Sequence, residues 1–324
     1  MAVYTSLELE EASSITRAHG LGDTEAIIPI AAGSVNSNYF VEGAFGRVFL
    51  RIYEEQEREG VEYEWALLKH LAERGVPLPR ILPGPEPGEL TIAGKPVALF
   101  ELVRGEEYCQ KMITPARAAS VGAALAKVHL AGRDFPIRKP SRFGRPELRE
   151  RLAIAEAAER PELKAVLEEQ LRLLDEFDKR PPLELPSGII HGDLFRDNVK
   201  YQGDSVLALL DWESASDGTL LYDLIVTMHA FTFGDTFDFD LIRALFGAYN
   251  AARPLEEREW EAAREVAIEA AVRFTITRIT DFYLRANEGG DDRVMKDFRR
   301  FIARREAIES FADDTFVSAI RAGI

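Results

Sequence analysis

Cysteine is nearly absent from this sequence of 324 residues: Cys109 is the only one. No disulfide can form within the chain, which points to a reducing compartment. Histidine is scarce as well. The five are scattered and none falls at H-E-x-x-H or a similar spacing, so no histidine-built metal centre is expected. No apolar run approaches the roughly 18 residues that a spanning helix needs. The N-terminus carries no basic segment followed by an apolar core, so no secretory signal is expected. Positive charge is in deficit, with 40 Lys and Arg against 55 Asp and Glu, a net charge of −15. Such a surface suits neither nucleic acid nor anionic lipid, and it tolerates a cationic or zwitterionic small substrate. The expectation is a cytoplasmic protein with no nucleic-acid or membrane partner. Oligomeric state is not legible.

What is present is ordinary for a globular protein: 46% hydrophobic and 29% charged residues. The length allows two packed lobes, each with its own core. The chain is organised around Ile189 to Trp212, IIHGDLFRDNVKYQGDSVLALLDW. A β-like run, Gly188 to Ile190, leads into His191-Gly192-Asp193. Asn198 follows five residues later, and a second apolar run, Val206 to Leu210, ends on Asp211. Two carboxylates and an amide thus lie on two short strands joined by tight loops. Phosphoryl transfer needs such parts: one carboxylate to accept a hydroxyl proton, an Asn and a second carboxylate to hold Mg²⁺ on nucleotide phosphates. His191, Asp193 and Asn198 also reproduce the H-x-D-x-x-x-x-N spacing of kinase catalytic loops. A hairpin with polar turn residues accounts for one Asp, but not for all three groups at these intervals.

Upstream, residues 7 to 19 have helical periodicity, with Leu9, Ala12, Ile15 and Thr16 on one face. A strand, Ile27 to Ala31, enters Gly33-Ser34-Val35-Asn36-Ser37-Asn38, and Tyr39-Phe40-Val41 leaves it. The backbone amides of this tip suit phosphate, although most such turns are only turns. The next strand, Val48 to Tyr53, puts Phe49 and Arg51 on one face. Arg51 is either a solvated cation or the partner of the α- and β-phosphates, where kinases usually have Lys. A helix over 62 to 73 presents Trp65, Leu68, Leu71 and Ala72 as its buried stripe. Glu64 on it is either exposed or paired with Arg51. Leu90–Ile92 and Val97–Leu102 read as a hairpin turning at Gly94-Lys95. The segment after it, with Glu101, Leu102 and Val103, is the candidate for presenting backbone groups to an adenine ring.

From Thr114 the pattern becomes helical, with Thr114 as N-cap and Pro115 in the first helical position. His129 is expected to be a packed, hydrogen-bonded histidine. One or two charged helices over 146 to 179 break near Pro161, and 212 to 218 form a loop rich in acceptors. Asp223 falls in the first turn of a helix from Leu220 to about Phe231, where a carboxylate suits the dipole. A long helix, 255 to 284, is apolar nearly all round and should be buried. Arg273, Thr277 and Asp281 form a polar stripe on it, seeking partners in each other, in the loop around Glu213 or in a substrate. Arg278 is nearby. In the final helix, 294 to 311, Arg299, Arg300, Arg304 and Arg305 read as a solvated face.

His191-Gly192-Asp193, Asn198 and Asp211 resemble the motifs of the aminoglycoside phosphotransferase and choline kinase group, small-molecule kinases with a protein-kinase-like fold. Within that group the chain is most similar to the bacterial homoserine kinases of the phosphotransferase type. The likeness runs through Ala2-Val3-Tyr4-Thr5, the Gly33-to-Val41 loop and Gly75-Val76-Pro77-Leu78-Pro79. It continues through Gly122 to His129, Asp193 to Val199, Tyr222-Asp223-Leu224, Arg273-Phe274 and Thr277-Arg278-Ile279. It implies an α+β, two-lobed protein-kinase-like fold, with a small antiparallel β-sheet N-lobe over 1–103 and a mainly helical C-lobe over 104–324. The first lobe would bind nucleotide and the second would hold the catalytic loop and the acceptor. It implies ATP and Mg²⁺ as cofactors, and phosphorylation of the L-homoserine side-chain hydroxyl, a step toward threonine. Asp193 would be the base, and Asn198 and Asp211 the Mg²⁺ ligands. Gly33, Ser34, Asn36, Ser37, Asn38, Arg51, Glu64, Glu101, Leu102 and Val103 would serve the nucleotide. Glu213 would receive the substrate ammonium, and Arg273 or Arg278 its carboxylate. One departure bears on the acceptor: Trp212-Glu213 stands where such kinases often have an aromatic pair. A kinase of an aminoglycoside, choline or a sugar therefore stays open, as does a catalytically silent nucleotide-binding protein.

Overall fold

The computed structural model of the chain describes residues 4–30, 35–285 and 296–322. The expectations on Ala2, Val3, Ala31, Gly33, Ser34 and residues 294–295 lie outside these. The chain forms two compact units. The first runs to Gly105 and takes back Leu207–Glu213; the second comprises Glu106–Val206 and the chain from Ser214 onward.

In the first unit, α1 (Leu9–Ala18) precedes β1 (Thr24–Pro29), β2 (Ser37–Gly43) and β3 (Gly46–Ile52). Then come α2 (Arg58–Glu73), β4 (Thr91–Ile92) and β5 (Lys95–Phe100). The strands make one antiparallel sheet in the order β1-β2-β3-β5-β4. Period-two alternation buries Val48, Leu50 and Ile52 of β3 against Ala12, Ile15, Tyr39, Val41 and Leu99. Phe49 and Arg51 share the opposite face, as expected, with the guanidinium 5.9 Å from the ring centroid.

Three local expectations differ. Leu9 is exposed, because Leu7, just ahead of the helix, enters the core in its stead. In α2 the buried residues are Val61, Tyr63, Glu64, Leu67, Leu68 and Leu71, so the stripe is rotated away from Trp65 and Ala72. Trp65 is only half-buried, and its indole N–H donates to the Tyr53 hydroxyl at 3.3 Å. The β4–β5 turn is centred on Ala93 and Gly94, both at positive φ (49° and 78°), rather than on Gly94-Lys95.

The second unit is mainly helical. α3 (Pro115–Ala131) starts as expected, with the Thr114 hydroxyl accepting from the Arg117 amide at 3.3 Å. α4 (Arg145–Ala157) and α5 (Lys164–Asp178) are separated at Pro161. Next come β6 (Ser187–Ile190), β7 (Val199–Gln202), β8 (Ser205–Leu209) and β9 (Ser216–Thr219). The strands after α5 are more numerous than the sequence suggested. β6 does not form a hairpin with β8; it pairs antiparallel with β9, in the stretch expected to be loop, while β7 pairs with β8. The remaining helices are α6 (Leu220–Thr232), α7 (Phe239–Ala252), α8 (Glu257–Arg278), α9 (Arg299–Glu309) and α10 (Asp313–Arg321).

α3 and α7 approach so closely at Gly122 that a Cβ there would lie 2.1 Å from the Leu245 carbonyl oxygen. α8 is buried along most of its length, as expected, and continues past Arg278 as a π-helical turn, Ile279–Tyr283. The arginines of α9 are not all solvated. Arg304 and Arg305 are buried. Arg304 donates through Nε to the His229 carbonyl at 3.1 Å, and Arg305 bonds Glu309 and Glu169 at 2.8 Å. The Arg304 bond has a clear cause: the last carbonyls of α6 lack helical partners. Arg196 and Gln110 take the next two, at Ala230 and Phe231.

Candidate active site

In the first unit, the entry into β2 brings the Asn36, Ser37 and Asn38 side chains into one polar network. Asn36 donates through Nδ2 to Glu213 Oε2 (2.9 Å) and accepts through Oδ1 from the Glu54 amide (3.2 Å). Asn38 donates to the Asn36 carbonyl (3.2 Å) and accepts from Arg51 Nε (3.3 Å). The Ser37 hydroxyl is fully buried; it accepts from the amides of Tyr4 (2.8 Å) and Thr5 (3.0 Å) and donates to Glu54. Its hydroxyl is therefore engaged inside the unit, and only its backbone is left for a phosphate.

Arg51 is the hub. Its Nη1 lies 3.7 Å from Glu64 Oε1 and 3.6 Å from Asp211 Oδ1. Burial disfavours its charge, but Asp211 and Glu64 outweigh that and raise its pKa. Glu64 is 2% exposed, and the Tyr53 hydroxyl donates to it at 3.2 Å. Asp211, at the end of β8, holds φ +61°, a conformation that costs an ordinary residue energy. Among the described residues its Oδ1 is buried without a hydrogen bond, at ion-pair distance from Arg51. In the segment after β5, the Glu101 amide donates to the Arg80 carbonyl (2.9 Å), while Leu102 and Val103 are half-buried.

In the second unit, the pairing of β6 with β9 sets the start of α6 beside the His191-Gly192 turn. Asp223, fully buried in that first turn, accepts from the His191 amide (2.7 Å) and the Gly192 amide (2.8 Å). Its third partner is His129 Nε2 at 3.0 Å, and His129 Nδ1 meets the Tyr249 hydroxyl at 2.6 Å. With Nε2–H donating to the carboxylate, Nδ1 accepts from Tyr249. Burial alone would raise the Asp223 pKa, but His129, His191 and the Gly192 amide hold it below the usual range. Gly192 has φ +76°, and a Cβ there would lie 2.9 Å from the Ser214 carbonyl. The turn is therefore fixed from behind before Asp193 begins. Asp193, with its side chain 31% exposed, lies 3.6 Å from Arg273 Nη1. The Asn198 amide donates to the Asp193 carbonyl at 2.9 Å, which turns its Oδ1 away from that carbonyl.

Within the first unit, then, Asn36, Asn38, Arg51, Glu64, Asp211 and Glu213 come together; within the second, Asp193, Asn198 and Arg273 do. The polar stripe of α8 does not pair within itself. Arg273 turns to Asp193, Asp281 pairs with Arg151 at 2.5 Å, and the Thr277 hydroxyl donates to the Phe274 carbonyl at 3.5 Å. Arg278 donates to the Asp297 carbonyl at 3.0 Å and packs on Phe301. The sequence presents Asp223 as a dipole partner and His129 as a packed, hydrogen-bonded histidine. His129 is both packed and hydrogen-bonded, and through Asp223 it also braces the turn before Asp193. The sequence signal for that role is that both stand in stretches resembling the kinase group.

Residues 26–266 match the model of the phosphotransferase enzyme family. The chain belongs to that family. The phosphotransferase is 36% identical over 292 residues to the homoserine kinase of Nitrobacter winogradskyi, covering 87% of each chain. It is 33% identical over 322 residues to that of Brucella canis, covering 97% of each. Its fold is like that of amicoumacin kinase hAmiN in complex with AMP-PNP, Ca²⁺ and Ami (TM-score 0.69, 14% identity, 90% of this chain and 92% of that one). It is also like that of a Plasmodium vivax ethanolamine kinase (TM-score 0.60, 13% identity, 95% of each). The family resemblance and the α+β, kinase-like fold are borne out, and with them an ATP-dependent alcohol phosphotransferase acting on a small molecule. Among the described residues no helix is long and apolar enough to cross a membrane.

Among the same residues no three His, Cys, Asp or Glu side chains gather into a metal cage. Taken each within its own unit, Asp211 Oδ1 in the first has no hydrogen bond among the described residues, and Asn198 in the second has its amide nitrogen engaged; both residues carry oxygens of the type that Mg²⁺ takes.

Proposed function

We propose that this phosphotransferase transfers the γ-phosphoryl group of ATP to the side-chain hydroxyl of L-homoserine, a step toward threonine. The observation that carries the reading is Asp193: a part-exposed carboxylate following a turn whose two amides are bonded to one buried aspartate. A base held in this way costs little reorganisation at the moment of transfer. The choice of acceptor is supported by likeness to homoserine kinases along nearly the whole chain.

In this reading the first unit serves the nucleotide and the second the acceptor. Mg²⁺·ATP, when bound, supplies the phosphoryl group and spreads its developing charge. Asn198 and Asp211 would hold the metal. Arg51, released in part from Glu64 and Asp211, would meet phosphate oxygens, joined by the amides of residues 33–38, Gly33 and Ser34 among them. Glu101, Leu102 and Val103 would face the adenine. Asp193 orients the acceptor hydroxyl and takes its proton late, because the transition state is loose. Glu213 would attract the substrate ammonium, and Arg273 or Arg278 its carboxylate. A single cysteine fits a cytoplasmic enzyme.

The test is coupled ADP release over a panel of homoserine, choline, ethanolamine, an aminoglycoside and a simple sugar. Homoserine should give the highest kcat/KM by at least about tenfold. No turnover of homoserine alongside turnover of another alcohol would replace the acceptor assigned here.

A further inference from the structure

Arg273 and Arg278 stand five residues apart on one helix, and their surroundings separate them. Arg278 is occupied by packing: it donates to the Asp297 carbonyl and lies 4.5 Å over Phe301 and 5.9 Å over Phe195. Burial and the neighbouring cations pull its pKa down to about 10, against the pull of Asp193.

Arg273 is different. It is 4% exposed, and its guanidinium carbon lies 3.8 Å from the centroid of the Phe143 ring and 3.7 Å from that of Phe274. Rings packed this closely on the guanidinium favour hydrogen bonding at its edge. Among the described residues its Nε is buried without a hydrogen-bond partner, and its ion pair with Asp193, at 3.6 Å, is beyond hydrogen-bond length. A buried charge with an unused donor edge is costly unless something completes it. Its planar fork matches a carboxylate bidentately.

We propose that Arg273 forms a carboxylate subsite beside Asp193, so that the acceptor must be a hydroxy acid. The subsite rests on the reading of Asp193 as the base. An acceptor whose carboxylate lies on the Arg273 edge, with a short carbon chain to its hydroxyl, delivers that hydroxyl to Asp193. Arg273 is thereby the residue that distinguishes a hydroxy amino acid from an amino alcohol. Phe143 and Phe274 are positioning residues that act by holding its plane.

The experiment compares homoserine with 3-aminopropan-1-ol, which lacks the carboxylate, and 4-hydroxybutanoate, which lacks the ammonium. The proteins are wild type, Arg273→Lys and Arg273→Met. Wild type should prefer homoserine to 3-aminopropan-1-ol by roughly 100-fold or more in kcat/KM. Arg273→Met should erase most of that ratio, chiefly through the KM for homoserine, and slow 3-aminopropan-1-ol at least about tenfold less than homoserine. Arg273→Lys should recover part of the ratio. The subsite is overturned if wild type uses 3-aminopropan-1-ol within about threefold of homoserine, or if Arg273→Met slows both acceptors equally. If Arg273→Met does not fold, the wild-type ratio and the Lys variant decide. Should wild type ignore homoserine but phosphorylate 4-hydroxybutanoate, the homoserine assignment falls and the subsite stands. Should no acceptor turn over, calorimetry of homoserine on protein loaded with a non-hydrolysable ATP analogue decides. Binding weakened about tenfold or more by Arg273→Met supports the subsite, and unchanged or absent binding overturns it.

Discussion

Replacing Asp223 by Asn is the sharpest probe of how the catalytic turn is held. The carboxylate serves three donors: Oδ1 takes the Gly192 amide, and Oδ2 takes the His191 amide and His129 Nε2. An asparagine keeps one acceptor oxygen. The least costly arrangement retains the bonds at Oδ2 and turns the new NH₂ toward the Gly192 amide, donor against donor. One charge-assisted bond is lost and the others weaken, a cost of about 2–3 kcal/mol. Asp223→Ala removes all three and strands buried donors, at about 3–5 kcal/mol.

Amide hydrogen exchange reads this directly. The His191 and Gly192 amides of Asp223→Asn should exchange roughly 30- to 150-fold faster, since about 1.4 kcal/mol is tenfold. Turnover should fall while nucleotide affinity stays near that of wild type. The pH dependence has a definite sign. The Asp223 pKa in the folded protein lies below its ordinary 3.8, so its stabilisation is complete above that value. It is lost as the pH falls through the lower folded value. The gap between wild type and variant should stay flat from about pH 5 to pH 8 and close only below about 3.8. Exchange at His191 and Gly192 within about threefold of wild type would refute the bracing role of Asp223.

Asp193→Asn should lower kcat by about 10²–10⁴-fold with nucleotide binding intact; near-normal turnover removes Asp193 as the base. Asp211→Asn, a residue that tolerates the φ of +61°, should weaken Mg²⁺-dependent nucleotide binding by at least about tenfold, and unaltered affinity contradicts the metal assignment. Gly122→Ala would push a methyl to 2.1 Å from the Leu245 carbonyl, so α3 and α7 must part at a cost of about 1–3 kcal/mol. An unchanged Tm for that variant would mean the helices are less tightly opposed than described.

The sequence by itself determined the chemistry. His191, Asp193, Asn198 and Asp211 lie within one short stretch, so their spacing is written in covalent distance and does not depend on how distant segments pack. Period-two and helical patterns likewise gave the β3 strand, the Thr114 cap and the buried α8, because each depends on neighbours only a few residues away. Tertiary structure decided what those groups touch. Glu64 is buried against Arg51 and Tyr53, although its helix position allowed exposure. Arg304 reads as a solvated cation in the sequence, yet it closes the end of α6, which is 75 residues away at His229. Asp223 holds the catalytic turn across 32 residues, and Arg273 meets Asp193 from another helix altogether. Burial and partnership of a charge depend on which distant segments pack around it, and no local periodicity encodes that.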